Sequence, residues 1–196
     1  MNENVYKVPE SNLIAGSDQL DGDFYVVGKV KFLVLFFSTF GMYSLYWFYR
    51  NWKLYKEKHN EKIWPVARGF FSIFFAHSLF SNVDQKLSDS NIDYSWNPKL
   101  IATLYVLLSI VTNICDRLSM KEIGSPYTDL LSFALLPVLA WVMLKAQLAI
   151  NVSESDPIGA SNSKLTIVNY CWVLLGVVAW GLVVVGVLMI LGIIPE

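Results

Sequence analysis

The chain alternates long apolar runs with short polar stretches. Charge collects in residues 1–31, 50–62, 84–99, 116–129 and 145–164, and the intervals between are nearly free of it. Apolar spans joined by polar loops produce that pattern. It predicts helical segments at about 32–49, 63–83, 100–115, 130–150 and 165–194. Ahead of them, residues 1–28 read as a flexible polar tail. Pro9, Gly16 and Gly22, with several Asn, Ser and Asp residues, offer little apolar area to offset ordering entropy. The expected fold is an all-α polytopic membrane protein with three to five membrane-embedded helical segments.

Segment 32–49 carries no charge and would extend about 27 Å as a straight helix, long enough to span. Its character changes at Ser38, Thr39, Phe40 and Gly41, and Gly41 is the expected backbone break. Beyond it crowd Tyr43, Tyr46, Trp47, Tyr49, Trp52 and Tyr55, ring types that favour the headgroup level. A re-entrant or interfacial hairpin therefore competes with a full crossing. The run continues into a basic stretch that places Phe48, Trp52 and Tyr55 on one helical face and Arg50, Lys53 and Glu57 on another. That is an amphipathic helix at a membrane surface. Arg50, Lys53, Lys56 and Lys58 are its candidate lipid-headgroup contacts, since anionic lipid attracts each such cation by about 1 kcal/mol.

Trp64 and Pro65 mark the next helix start. Segment 63–83 contains Arg68, His77 and Asn82, and both spanning and in-plane readings are open for it. Segment 100–115 is short and is extended by Asn97, Pro98 and Lys99 at one end and Asp116 and Arg117 at the other. Segment 130–150 contains Pro137, with Lys145 and Gln147 at a snorkelling finish, and 151–163 reads as a loop. Segment 165–194 would reach about 45 Å as one helix, more than the hydrocarbon thickness, so it tilts or begins at the interface. Its glycines, Gly176, Gly181 and Gly186, do not share one face; Gly176, Ala179 and Gly186 form a better small-residue contact line.

Composition agrees with this pattern. Hydrophobic residues make up 55% of the chain, charged residues 16%, and mean hydropathy is +0.45. A net charge of −1 provides no field that would draw the protein to nucleic acid. No basic n-region precedes an apolar run near residue 1, so insertion is expected to rely on the internal spans. If all five segments crossed, Lys and Arg would divide almost evenly between the two sides. A hairpin at the first segment instead groups Lys29 and Lys31 with the basic stretch, which favours a cytoplasmic N-terminus and three or four crossings.

Little catalytic chemistry is on offer. G-x-S-x-G, H-E-x-x-H, P-loop and GxGxxG motifs are all missing. Cys115 and Cys171 read as small core residues rather than a disulfide, and His59 and His77 have no ligand-spaced partners. No cofactor is expected. The polar residues that would stand inside a membrane are Arg68, His77, Asn113 and Asp116. Each reads either as an anchor or helix-to-helix bond, or as part of a polar path.

The stretch holding Thr39, Gly41, Tyr43, Tyr46, Trp47, Tyr49 and Arg50 resembles the T-x-G-x-Y-x-x-Y-W-x-Y-(R/K) hallmark of a family of small bacterial membrane proteins whose domain has no assigned activity. Ile63 to Arg68 and Phe74 to Phe80 look like that family's next segment, and the likeness covers roughly residues 4–82. The resemblance implies a bacterial inner membrane. Two functions are expected to compete. One is a non-enzymatic accessory or scaffold protein that contacts membrane lipids and another membrane protein or itself. The other is a small transporter or channel acting as an oligomer.

Overall fold

The structure, a computed structural model, describes residues 22–190 and residue 193. Among the described residues the fold is all-α and contains no strand. Its helices are α1 (Lys29–Ser38), α2 (Tyr43–His59), α3 (Pro65–Phe70), α4 (Ser72–Asp89), α5 (Pro98–Ser119), α6 (Tyr127–Ser153) and α7 (Ile167–Ile190), with a 3₁₀ turn at Ala160–Asn162.

The first two predicted segments are each broken. At the end of α1, Phe40 and Gly41 take left-handed backbone angles, φ 51° and 82°. Glycine enters that region without a side-chain penalty. Gly41 N donates to Phe36 O at 2.8 Å, and Thr39 Oγ1 accepts from Tyr43 N at 2.9 Å. The chain thereby reverses within a few residues. A ten-residue α1 is about 15 Å long, half of a hydrocarbon core. Its tip lies against the middle of α7, with Phe40 stacked on Trp180 at 4.5 Å. Helix α2 then climbs back, and His59 Nε2 comes to rest 3.1 Å from Asp23 Oδ2. Both ends of the hairpin therefore lie at one end of the molecule, here called the basic end.

Segment 63–83 is likewise not one helix. Pro65 opens α3 in its first turn, and Phe71 separates α3 from α4. Gly69 lets α3 lie directly on α2, because a Cβ there would stand 3.1 Å from Leu45 O and Tyr49 N. Helix α4 starts deep, with Ser72 Oγ 2.7 Å from Tyr105 OH, and returns to the basic end, where Lys86 meets Glu154 at 2.7 Å.

Helices α5, α6 and α7 are long and apolar enough to cross a membrane. Asn97 caps α5 by accepting from Leu100 N at 2.9 Å, and Pro98 occupies the first turn, so the helix begins two residues before the predicted segment. Helix α6 runs through Ser153, so the predicted loop at 151–163 begins at Glu154 instead. The predicted end of the last segment, 191–192 and 194, lies outside the described residues. Leu107, Ile110 and Ile114 on α5, Leu130, Leu131 and Trp141 on α6 and most of α7 point outward. Only 6% of the apolar window of α7 is buried. An apolar outer surface of this extent needs lipid, and the chain is an integral membrane protein.

Inside, Phe32, Phe36, Trp47, Phe48, Trp52 and Phe80 form an aromatic core closed by Met143 and Ile150 of α6. This corrects the reading of α2 as a helix lying on a membrane surface. Phe48 and Trp52 are buried in protein, and Tyr55 stacks on Phe24 at 5.8 Å. The aromatic face is covered by α4 and α5 rather than by lipid, as the Phe48 contacts with Phe80 and Tyr105 show.

Candidate functional site

Of the expected flexible tail 1–28, residues 1–21 lie outside the described residues, and residues 24–27, Phe-Tyr-Val-Val, are buried. A buried segment in neither helix nor strand needs partners for its backbone groups, and here side chains supply them. Tyr25 N donates to Asn51 Oδ1 at 2.9 Å, and Gln147 Nε2 donates to Tyr25 O at 3.1 Å. Asn151 grips both sides of Val27, accepting from its N–H at 3.2 Å and donating to its carbonyl at 2.9 Å. Asn162 Nδ2 donates to Val26 O at 2.9 Å, and Glu154 Oε1 accepts from Phe24 N at 2.8 Å. Gln147 also accepts from Trp47 Nε1. One peptide is thus held by α2, α6 and the α6–α7 loop together.

That loop is itself pinned. Asp156 accepts from Ala160 N at 2.8 Å, and from Ser161 N and Ser161 Oγ at 2.9 and 2.8 Å. Burial alone would raise this carboxyl, but the Ser161 and Ala160 donors outweigh it and hold the group below its ordinary range. A carboxyl depressed in the folded state contributes stability that is complete above the unfolded value, about 3.9. The contribution is lost as pH falls through the lower, folded value. Asp156→Ala is therefore expected to speed amide exchange across 154–166 at neutral pH, and to leave exchange there unchanged once the wild-type group is protonated. Hydrogen-exchange mass spectrometry at several pH values measures both.

Between the α1–α2 hairpin and α7 lies a cavity of about 780 Å³. Small-molecule sites occupy roughly 300–1,000 Å³. Its polar groups gather at the basic end: Tyr25, Lys31, Tyr46, Arg50, Asn162 and Asn169. Its deeper walls are Leu35, Phe40, Leu45, Trp172, Leu175 and Ala179. From Asn169 to Ala179 along α7 is about 15 Å, which sets the depth. Helix α7 meets the hairpin where Gly176 lies against Ser38 and where Trp180 stacks on Phe40, and the cavity lies beside that contact.

The polar end is cationic and poorly compensated. Lys31 is only 4% exposed. Its ammonium donates to Asn162 Oδ1 at 2.6 Å and Lys164 O at 2.7 Å, and burial pulls it below the ordinary lysine range. Arg50 lies over the Tyr25 ring at 5.3 Å, with its Nε buried and without a hydrogen-bond acceptor. The Tyr43 hydroxyl is buried and makes no hydrogen bond of normal geometry. Tyr46 stands edge to face against the Tyr25 ring at 6.0 Å. Among the described residues, no carboxylate pairs with Lys31 or Arg50.

The candidates named from the sequence are dispersed. Of the four headgroup cations, Arg50 turns into the cavity, Lys53 pairs with exposed Glu57 at 3.9 Å, and Lys56 and Lys58 lie exposed in the last turn of α2. Arg68 stacks on Trp52 at 4.2 Å and on Phe75 at 5.0 Å. His77 meets Thr103 Oγ1 at 3.1 Å, Asn113 donates to Ser109 O of its own helix at 2.8 Å, and Asp116 accepts from Ser132 Oγ. The structure does not bring these four together; Thr103 and Asn113 alone are about 15 Å apart along α5. Gly41 is the backbone break where it was expected. Cys115 is buried and Cys171 exposed, and both are free. No protein family, curated protein or solved structure matches the chain. The site therefore rests on geometry alone. Sequence reading missed Lys31, Tyr25, Asn151 and Asn162 as site residues. The available signal was polar side chains at the edges of apolar runs, positions where a buried polar group must find a partner.

Proposed function

We propose that this protein is a non-enzymatic accessory protein of the bacterial inner membrane that binds an amphiphile taken from the bilayer. The cavity carries the reading: polar donors at one end, apolar walls for about 15 Å below them, and a single sparsely packed helix, α7, as one side. The likeness of residues 39–50 to small bacterial membrane proteins supports the choice of membrane. A cytoplasmic basic end is supported by charge. Lys29, Lys31, Lys56, Lys58, Lys62 and Lys164 gather there, whereas Arg117 and Lys121 mark the opposite end, between α5 and α6. The same bias supports reading the N-terminus as cytoplasmic.

The test is purification in native lipid discs, delipidation, and native mass spectrometry of what stays bound. The expected result is one small amphiphile per chain, lost in Ala179→Trp, which fills the cavity floor, at an unchanged thermal transition. A spectrum showing only bulk lipid, equally in wild type and variant, overturns the reading. A stoichiometric protein partner together with an unoccupied cavity would replace it with a scaffold role.

A further inference from the structure

Resting on that reading, we infer that the cavity selects a single-chain amphiphile with an anionic oxyacid head, a phosphate monoester or a carboxylate, seated on Lys31, Arg50 and Tyr43. The protein leaves several donors in this cavity unused. An ammonium has three donors and Lys31 directs two of them at protein acceptors. Arg50 Nε and the Tyr43 hydroxyl have none. Buried donors without acceptors are rare in native proteins, and buried cations without a counter-charge are rarer. All three side chains line the same cavity. What they have in common is a demand for negative oxygen. A guanidinium and an ammonium meet it best with phosphate or carboxylate, through charge-assisted bonds.

The walls decide the rest of the molecule. Below the donors the lining turns to Leu35, Leu45, Trp172, Leu175 and Ala179. Ser38 and Thr39 at the floor do not interrupt this, since Thr39 Oγ1 is already bonded to Leu35 O at 2.8 Å. A chain of about 15 Å fits the depth measured along α7. A free phosphate would leave that apolar length without contacts, and a neutral alcohol would leave the donors unmet. Tyr25 and Tyr46 pack edge to face at 6.0 Å beside the head position, and Lys31 and Tyr43 there are buried.

The experiment uses the full chain in lipid discs made from zwitterionic lipid. It titrates dodecyl phosphate, dodecanoate, 1-dodecanol and inorganic phosphate, following thermal stability and native mass spectra. At least one anionic probe is expected to bind about tenfold more tightly than 1-dodecanol, and inorganic phosphate more weakly than dodecyl phosphate. The better of the two anionic probes identifies the head. Arg50→Met and Tyr43→Phe should each remove most of that preference while leaving 1-dodecanol binding unchanged. Tyr43→Phe deletes only a hydroxyl whose nearest polar neighbour is the Tyr25 phenol, so it tests the head with little change to the packing. Equal binding of 1-dodecanol and both anions, unaffected by either variant, overturns the headgroup assignment and leaves amphiphile binding standing. Inorganic phosphate binding as tightly as dodecyl phosphate overturns the alkyl-chain part. Failure of every probe to bind overturns the assignment together with the function it rests on.

Discussion

Asn151→Leu is expected to destabilise the protein by about 3 kcal/mol or more, the largest effect of any single polar substitution outside the cavity. Leucine nearly matches asparagine in shape, so the loss is not one of volume. Asn151 bonds both the N–H and the carbonyl of Val27, a residue with no exposure, and it also accepts from Gln147 at 2.7 Å. Each buried group left unpaired costs about 1–3 kcal/mol, and neither Val27 group has a second partner within reach in the present packing. Asn113→Leu is the matched control. Asn113 bonds only its own helix, at Ser109 O, and faces outward. A change of no more than about 0.5 kcal/mol is expected there. Chemical or thermal unfolding of both variants in the same discs measures the difference. Similar transitions for the two would mean that the 22–28 peptide is not held as described.

The two asparagines show what the sequence reveals and what it conceals. Both sit in or beside apolar runs, and reading along the chain gives them equal standing. Asn113 stands in segment 100–115, which reads as membrane-embedded, whereas Ser153, Ser155, Asp156 and Pro157 make Asn151 read as the start of a loop. Helix periodicity locates elements through local chemistry, so α5, α6 and α7 and the reversal at Gly41 were legible. Periodicity says nothing about which side chain meets a peptide 124 residues away. The buried peptide was concealed for a related reason. Phe24 to Val27 is too short a run to register as a helix, and its polar flanks resemble a tail. Lys31 looked like a simple positive-inside marker, and only the fold shows its ammonium turned inward. The aromatic stretch 43–55 was read as interfacial because rings favour that depth, yet a core crowded with rings satisfies the same preference for partly polar surroundings. Arg68 illustrates this, since its guanidinium stacks on the face of Trp52, one of those rings.

The second large effect is expected at the crossing of α1 and α7. A Cβ on Gly176 would overlap Ser38, standing 2.7 Å from its Cα and Cβ and closer still to its carbonyl oxygen. The obstacle is largely backbone, so no rotamer change relieves it, and overpacking of this kind costs about 1–3 kcal/mol. Alanine also gains roughly 1 kcal/mol over glycine in helix propensity, which pulls in the opposite direction. The outcome is decided by what holds α7. Its helix packs on α1, with Trp180 adding a bond to Phe37 O at 2.9 Å and a ring contact with Phe133. Only 6% of its apolar window is buried, so little opposes its displacement into lipid. Gly176→Ala should therefore leave α1 to α6 folded while moving α7 away and opening the cavity along its length. Gly181→Ala supplies the comparison, because nothing lies within 4 Å of its Cβ position and only the propensity gain operates. The readout is cross-linking between cysteines placed at Val34 and Val177, which both line the smaller gap beside Gly176, in a background with Cys115 and Cys171 replaced by serine. Cross-linking is expected to fall several-fold in Gly176→Ala and to hold in Gly181→Ala, with bound amphiphile falling in parallel. Undiminished cross-linking in Gly176→Ala would show that α7 is held by more than this crossing, and the cavity would then have to fill by another route than the parting of α1 and α7.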